Sequence, residues 1–121
     1  MRIGALLLVV GLLGCTAPGI AEEVNLNSAE AQLAGCVAFA ETDSAPSASF
    51  FDTGVCAGQM HALMTLGIGL PQDLRFCPPP GSTNGQAARV VVHFMNAHPA
   101  DLDRNFYLVA VAALRQAFPC G

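Results

Sequence analysis

Three histidines and nine carboxylates are the residues of this chain that could carry acid–base or metal chemistry. His61, His93 and His98 show no metal-ligand spacing and no His-Glu-x-x-His pattern. Asp101 and Asp103 are a carboxylate pair only two residues apart. Residues two apart on a helix point to different faces, so this pair suits general acid–base work poorly. In a first helical turn the same two carboxylates would complement the helix dipole. His98, in the last turn of a predicted helix, reads as a cation at the negative end of the dipole. His93 reads as a packed or surface histidine beside an apolar face. No Gly-x-Ser-x-Gly elbow and no phosphate-binding glycine loop occurs. Gly81 and Gly85 only flank a helix start. The residues therefore point away from catalysis, and no cofactor is implied.

The cysteines set the compartment. Met1-Arg2 followed by the apolar run Ile3 to Leu13 has the form of an export signal, too short to span a bilayer. Gly19-Ile20-Ala21 offers a cleavage site that leaves residues 22–121 as the mature domain. Leu12-Leu13-Gly14-Cys15 offers a lipobox instead, so a membrane anchor arises only if Cys15 is lipidated. Cys36, Cys56, Cys77 and Cys120 remain after either cut. Four cysteines in a small exported domain predict two disulfides, because such compartments oxidise paired thiols. A zinc site needs closer pairs than these. A thiol nucleophile fits an oxidising compartment badly.

Helical periodicity supplies the frame for these residues. Asn27 with Glu30 resembles a capping box and predicts a first helix carrying Leu33, Cys36, Val37 and Ala40 on one face. Thr42 to Ser49 reads as a loop. Asp52 is the expected cap of a second helix, with Cys56, Met60, Leu63, Met64 and Gly67 as its buried stripe. Pro71 to Ser82, with prolines at 78–80, excludes a regular helix. Thr83 with Gln86 is a second capping-box pattern, followed by Ala87, Val90, Val91, Phe94 and Met95 at helical spacing, and His98-Pro99 ends that helix. A fourth is expected from about Asp101 to Ala117, burying Phe106, Val109, Ala110, Ala113, Leu114 and Ala117.

Four such helices without a convincing strand predict an all-α, disulfide-stapled four-helix bundle, with room for one short extra helix. Antiparallel neighbours would bring Cys36 to Cys56 and Cys77 to Cys120, which is the preferred pairing. The nested pairing, Cys36 with Cys120 and Cys56 with Cys77, stays open if the proline segment folds back along the second helix. In the loop-entropy model the preferred bridges contribute about 3 and about 4 kcal/mol. The formal net charge of −4, with no lysine and five arginines, argues against a nucleic-acid partner.

The ordered set of short motifs resembles a known family. Cys56-Ala57-Gly58-Gln59-Met60, Phe76-Cys77-Pro78, Thr83 with Gln86, Val91-Val92 with Phe94-Met95 and His98-Pro99, Leu108-Val109 with Ala112, and Ala117-Phe118-Pro119-Cys120 together resemble the Rap/Tai family. These are immunity proteins of type VI secretion amidase effectors. The likeness covers about Cys36 to Cys120. The chain departs from the family pattern at Gln59 and Met60, where an aromatic residue and Ile are usual, and in its three prolines after Cys77.

The resemblance implies a periplasmic, non-enzymatic protein that blocks a secreted peptidoglycan amidase and often forms a homodimer. The matching positions are mostly core, turn and cysteine residues, which leaves the plug to exposed loops. The expected contact residues are Leu70, Gln72, Asp73, Arg75 and Pro79 of the proline segment, then His98, Asp101 and Asp103 of the following turn. The competing reading is a general periplasmic helical binder, such as a stress-chaperone-like protein, without a dedicated effector.

Overall fold

The computed structural model of the chain describes residues 14, 19, 25–41 and 49–121. The export signal, the cleavage and lipidation sites around it, and the loop up to residue 48 lie outside the described residues. Four helices form, α1 Ala29–Ala40, α2 Phe50–Leu66, α3 Asn84–Ala97 and α4 Phe106–Ala117, with single 3-10 turns at Gly67–Gly69 and Pro99–Asp101. There is no strand among the described residues, only one bridge between Ser28 and Asn105. No described helix is long and apolar enough to cross a membrane.

The helix starts follow capping chemistry, not always at the expected residue. Thr83 and Gln86 form the predicted box at α3, each side chain bonded to the other's backbone N–H. At α1 the cap is Ser28, one residue later than Asn27, and its hydroxyl accepts from the Ala31 N–H. At α2 the cap is Ser49, three residues before Asp52. Asp52 sits instead in the first turn, where its carboxylate accepts from the Ser49 hydroxyl while its own N–H donates back.

The largest departure from expectation is the start of α4, at Phe106 instead of Asp101. The residues before it are occupied elsewhere. The Leu102 and Arg104 carbonyls accept the N–H groups of Glu30 and Ala29, two of the unpaired donors at the N-terminus of α1. The Asn27 carbonyl in turn accepts from the Phe106 N–H. A helix through 102–105 would turn those carbonyls onto its own ladder and strip α1 of its partners. Asp101 and Asp103 therefore do not occupy the first turn of α4. Asp101 pairs with Arg104 at 3.2 Å in the connector, and Asp103 is exposed.

Helix α3 packs on α1, α2 and α4, and α1 packs likewise on the other three. The buried residues of α1 are small (Ala29, Gly35, Cys36, Ala38 and Ala40), so three neighbours can approach closely. A Cβ at Gly35 would overlap the Asp52 backbone carbonyl. Gly35→Ala is accordingly expected to cost about 1–3 kcal/mol in urea unfolding. Gly58→Ala, where a Cβ meets open space inside α2, should gain up to about 1 kcal/mol. Equal effects at both glycines would contradict the close α1–α2 approach.

Two disulfides staple the bundle, Cys36–Cys56 and Cys77–Cys120, with Cα separations of 5.1 and 4.9 Å. This is the preferred pairing. The nested one does not occur, because the proline segment runs to the end of α4, where the Cys77 N–H donates to the Phe118 carbonyl. The core is filled by Met60, Phe76, Met95, Phe106 and Leu114, all fully buried.

Candidate functional site

Helices α3 and α4 do not close completely against each other. From α3, the rows Arg89, His93 and Ala97 and Val90, Phe94 and His98 face a furrow, each row stepping by about one turn. Ala113, Gln116 and Ala117 of α4 form the opposite wall. The hollow between them is about 420 Å³. It exists because the facing positions at 97, 113 and 117 are alanines, where longer side chains would fill the gap. A second hollow, of about 410 Å³, lies at the proline segment between Pro79, Pro80 and Ser82 and the side chains of Gln86 and Phe118. Val90 lines both, so the two hollows lie end to end along α3, from the proline segment to His98, and are called the furrow below. Gly81 shapes the near rim. Its φ of 84° lies in the left-handed region that favours glycine.

The furrow has an apolar floor and a rim of hydrogen-bonding side chains. His98 stacks on Phe94 with ring centroids 4.0 Å apart, and its Nδ1 lies 2.8 Å from the Phe94 carbonyl. A carbonyl can only accept, so Nδ1 donates and Nε2 lies on the ring edge away from it. The same bond satisfies one of the end carbonyls of α3. Arg89 donates from Nε to the Ala40 carbonyl, the last residue of α1, at 3.2 Å. Its planar fork keeps further N–H groups for other acceptors. Among the described residues no carboxylate lines either hollow.

The structure brings two of the expected contact residues to this furrow, Pro79 and His98, one at each end. Leu70 is half-buried against the core, and its carbonyl accepts from Arg75 Nε. Gln72, Asp73 and Arg75 are exposed on the proline segment and do not line the furrow. Asp101 and Asp103 lie in the α3–α4 connector, beyond it. The proline segment is nonetheless pinned, by Phe76 in the core and by Cys77 through its disulfide.

Arg89, Phe94 and Gln116 were not among the expected contacts, and His93 was read only as a packed or surface residue. The predicted stripe of α3 is split. Ala87, Val91 and Met95 are buried, while Val90 and Phe94 are partly open to the furrow. Ala117, expected in the core, is exposed on the α4 wall. The available signal was alanine at 113 and 117 of α4, facing an α3 surface that itself ends in Ala97, which predicts a gap once the two helices are known to pack.

Among the described residues no three His, Cys, Asp or Glu side chains converge as metal ligands. His61 is within 3.4 Å of Asn84, where it joins α2 to the start of α3. One polar group is left without a partner among the described residues, the buried Oε1 of Gln59 on α2. Gln59→Met removes that orphan acceptor, and a gain of about 1 kcal/mol is expected, read as a rise in melting temperature of about 4–8 °C. No rise would mean that the amide oxygen is satisfied in solution.

The described residues thus form a helical frame with two covalent clamps and a furrow with hydrogen-bond donors on its rim. The chain belongs to the Rap1a immunity protein family, whose model matches residues 27–120, from the lead-in of α1 to the last cysteine. No curated protein and no solved structure matches it.

Proposed function

We propose that this chain is a periplasmic immunity protein that binds and blocks a peptidoglycan amidase delivered by type VI secretion. The observation that carries this reading is the family match across the whole clamped bundle, both disulfides included. The apolar front segment would export the chain, and two disulfides suit an oxidising compartment. Immunity requires a surface that meets a preformed cleft without much loss of freedom on binding. Covalent clamps at Cys36–Cys56 and Cys77–Cys120 lower that ordering cost. The proline segment, with Leu70, Gln72, Asp73, Arg75 and Pro79, is the first element to enter the amidase cleft, and the turn bearing His98, Asp101 and Asp103 is the second. A homodimer would present two copies of this surface.

The test is capture by the oxidised chain from Glu22 to Gly121, carrying a tag, against secreted amidases of the same genome. Capture with Kd of about nanomolar order, together with loss of peptidoglycan cleavage, is the expected result. The triple variant Gln72→Ala, Asp73→Ala and Pro79→Ala should weaken capture at least about tenfold at unchanged melting temperature, since all three side chains are exposed. If no amidase is captured or inhibited, the reading fails.

A further inference from the structure

The geometry points to the α3–α4 furrow as the seat of an extended acidic and apolar segment of the partner protein. This deepens the immunity reading and rests on it. Length is the first argument. From Gln86 to His98 the helical rise makes the furrow roughly 18 Å long. An extended strand of about five or six residues covers that distance. The second argument is shape. Two hollows of similar volume, about 420 and 410 Å³, meet at Val90, which suits two apolar side chains on the same face of one extended segment.

Charge is the third argument. The chain as a whole is acidic, with net charge −4, yet the guanidinium of Arg89 lines the furrow beside His93, and among the described residues no carboxylate does. A carboxylate two residues from each apolar anchor shares their face of the segment, where it would meet the free N–H groups of Arg89 and the His93 ring. Nε2 of His98, on the ring edge away from the Phe94 carbonyl, is left for the backbone of the segment. The partner therefore contacts the bundle twice, once where the proline segment enters its cleft and once where its own segment enters the furrow.

Two blocked hexapeptides are the probes, acetyl-Leu-Ser-Glu-Ser-Leu-Ser-amide, which puts both leucines and the glutamate on one strand face, and the same peptide with lysine in place of glutamate. Each is titrated by NMR into the oxidised mature chain. The acidic peptide should shift amides of α3 and α4 along the furrow and bind at least about tenfold more tightly than the lysine peptide. Ala97→Trp fills the hollow and Gln116→Glu places a carboxylate on its wall. Both positions are exposed, so folding should be unaffected, and each variant should weaken the acidic peptide at least about fivefold.

Equal affinity for both peptides, no shifts at millimolar peptide, or shifts on another face would overturn the proposal. So would furrow shifts that follow protein concentration without peptide, which place a second copy there. Amidase capture separates this proposal from the reading beneath it. Undiminished capture and inhibition by both variants removes the furrow segment and leaves immunity standing. Furrow binding of the acidic peptide without capture of any amidase does the reverse.

Discussion

Replacing Cys77 and Cys120 together by serine is expected to lower the unfolding free energy by about 4 kcal/mol. The bridge closes a loop of 43 residues, and the entropy that it removes from the unfolded chain sets this figure. The site isolates that effect well. Cys77 is half-buried and Cys120 is exposed, so serine hydroxyls there incur little burial cost. Single domains are typically stable by about 5–15 kcal/mol, which makes this loss a large share of the whole. Urea unfolding of the double variant beside the parent protein measures it. A change under about 1 kcal/mol would show that the unfolded chain is already held compact without the bridge. A functional loss should accompany the structural one. The bridge ties the proline segment to the end of α4, so its removal loosens one rim of the furrow and the base of the proposed plug. Capture should therefore weaken even at temperatures where the variant remains folded.

Phe76→Ala should be as damaging, by about 3–5 kcal/mol. Phe76 stands between Arg75 and Cys77 on an irregular segment, yet it is fully buried. Its ring lies against Gly67 so closely that a Cβ on that glycine would overlap it. Truncation leaves a void at the junction of α2 and the proline segment, and the surrounding disulfide and helix limit how far it can collapse. A fall in melting temperature of about 15–25 °C is the expected reading. Phe50→Ala provides the contrast. Phe50 is fully exposed at the first position of α2, and its truncation should change stability by less than about 0.5 kcal/mol. If the two variants behaved alike, the anchoring of the proline segment would have to be reconsidered.

These two residues show why local pattern reading reaches only part of the site. Phe76 carries no periodic signal, because it lies in a segment broken by prolines. Its burial depends on where that segment is delivered by Cys77 and by the Phe118 carbonyl. The helices themselves were legible, since apolar side chains recur at helical spacing in α2, α3 and α4. The cap at Thr83 and the stop at His98-Pro99 were legible too, because their bonds are made within a few residues of one another. Ser28 and Ser49 were missed in favour of neighbouring Asn27 and Asp52, where several capping residues compete within one turn.

The packing of α1 was harder to see. Its buried residues, Ala29, Gly35, Cys36, Ala38 and Ala40, are small and spread around the helix, so they form no single apolar stripe of the kind from which amphipathic helices are recognised. Four cysteines in a short exported chain implied two bridges, and the antiparallel order favoured the pairing found. The sequence by itself thus determined four helices, the four cysteines that make two clamps, and the family likeness, because those rest on short-range bonds and on residue types at set spacings. Only the tertiary structure decided between the two disulfide pairings, that α4 begins at Phe106, that α1 and α3 each pack on three neighbours, and that alanines at 97, 113 and 117 leave a furrow. Each of those depends on carbonyls and side chains supplied by segments distant in the chain, and no local spacing encodes where such segments meet.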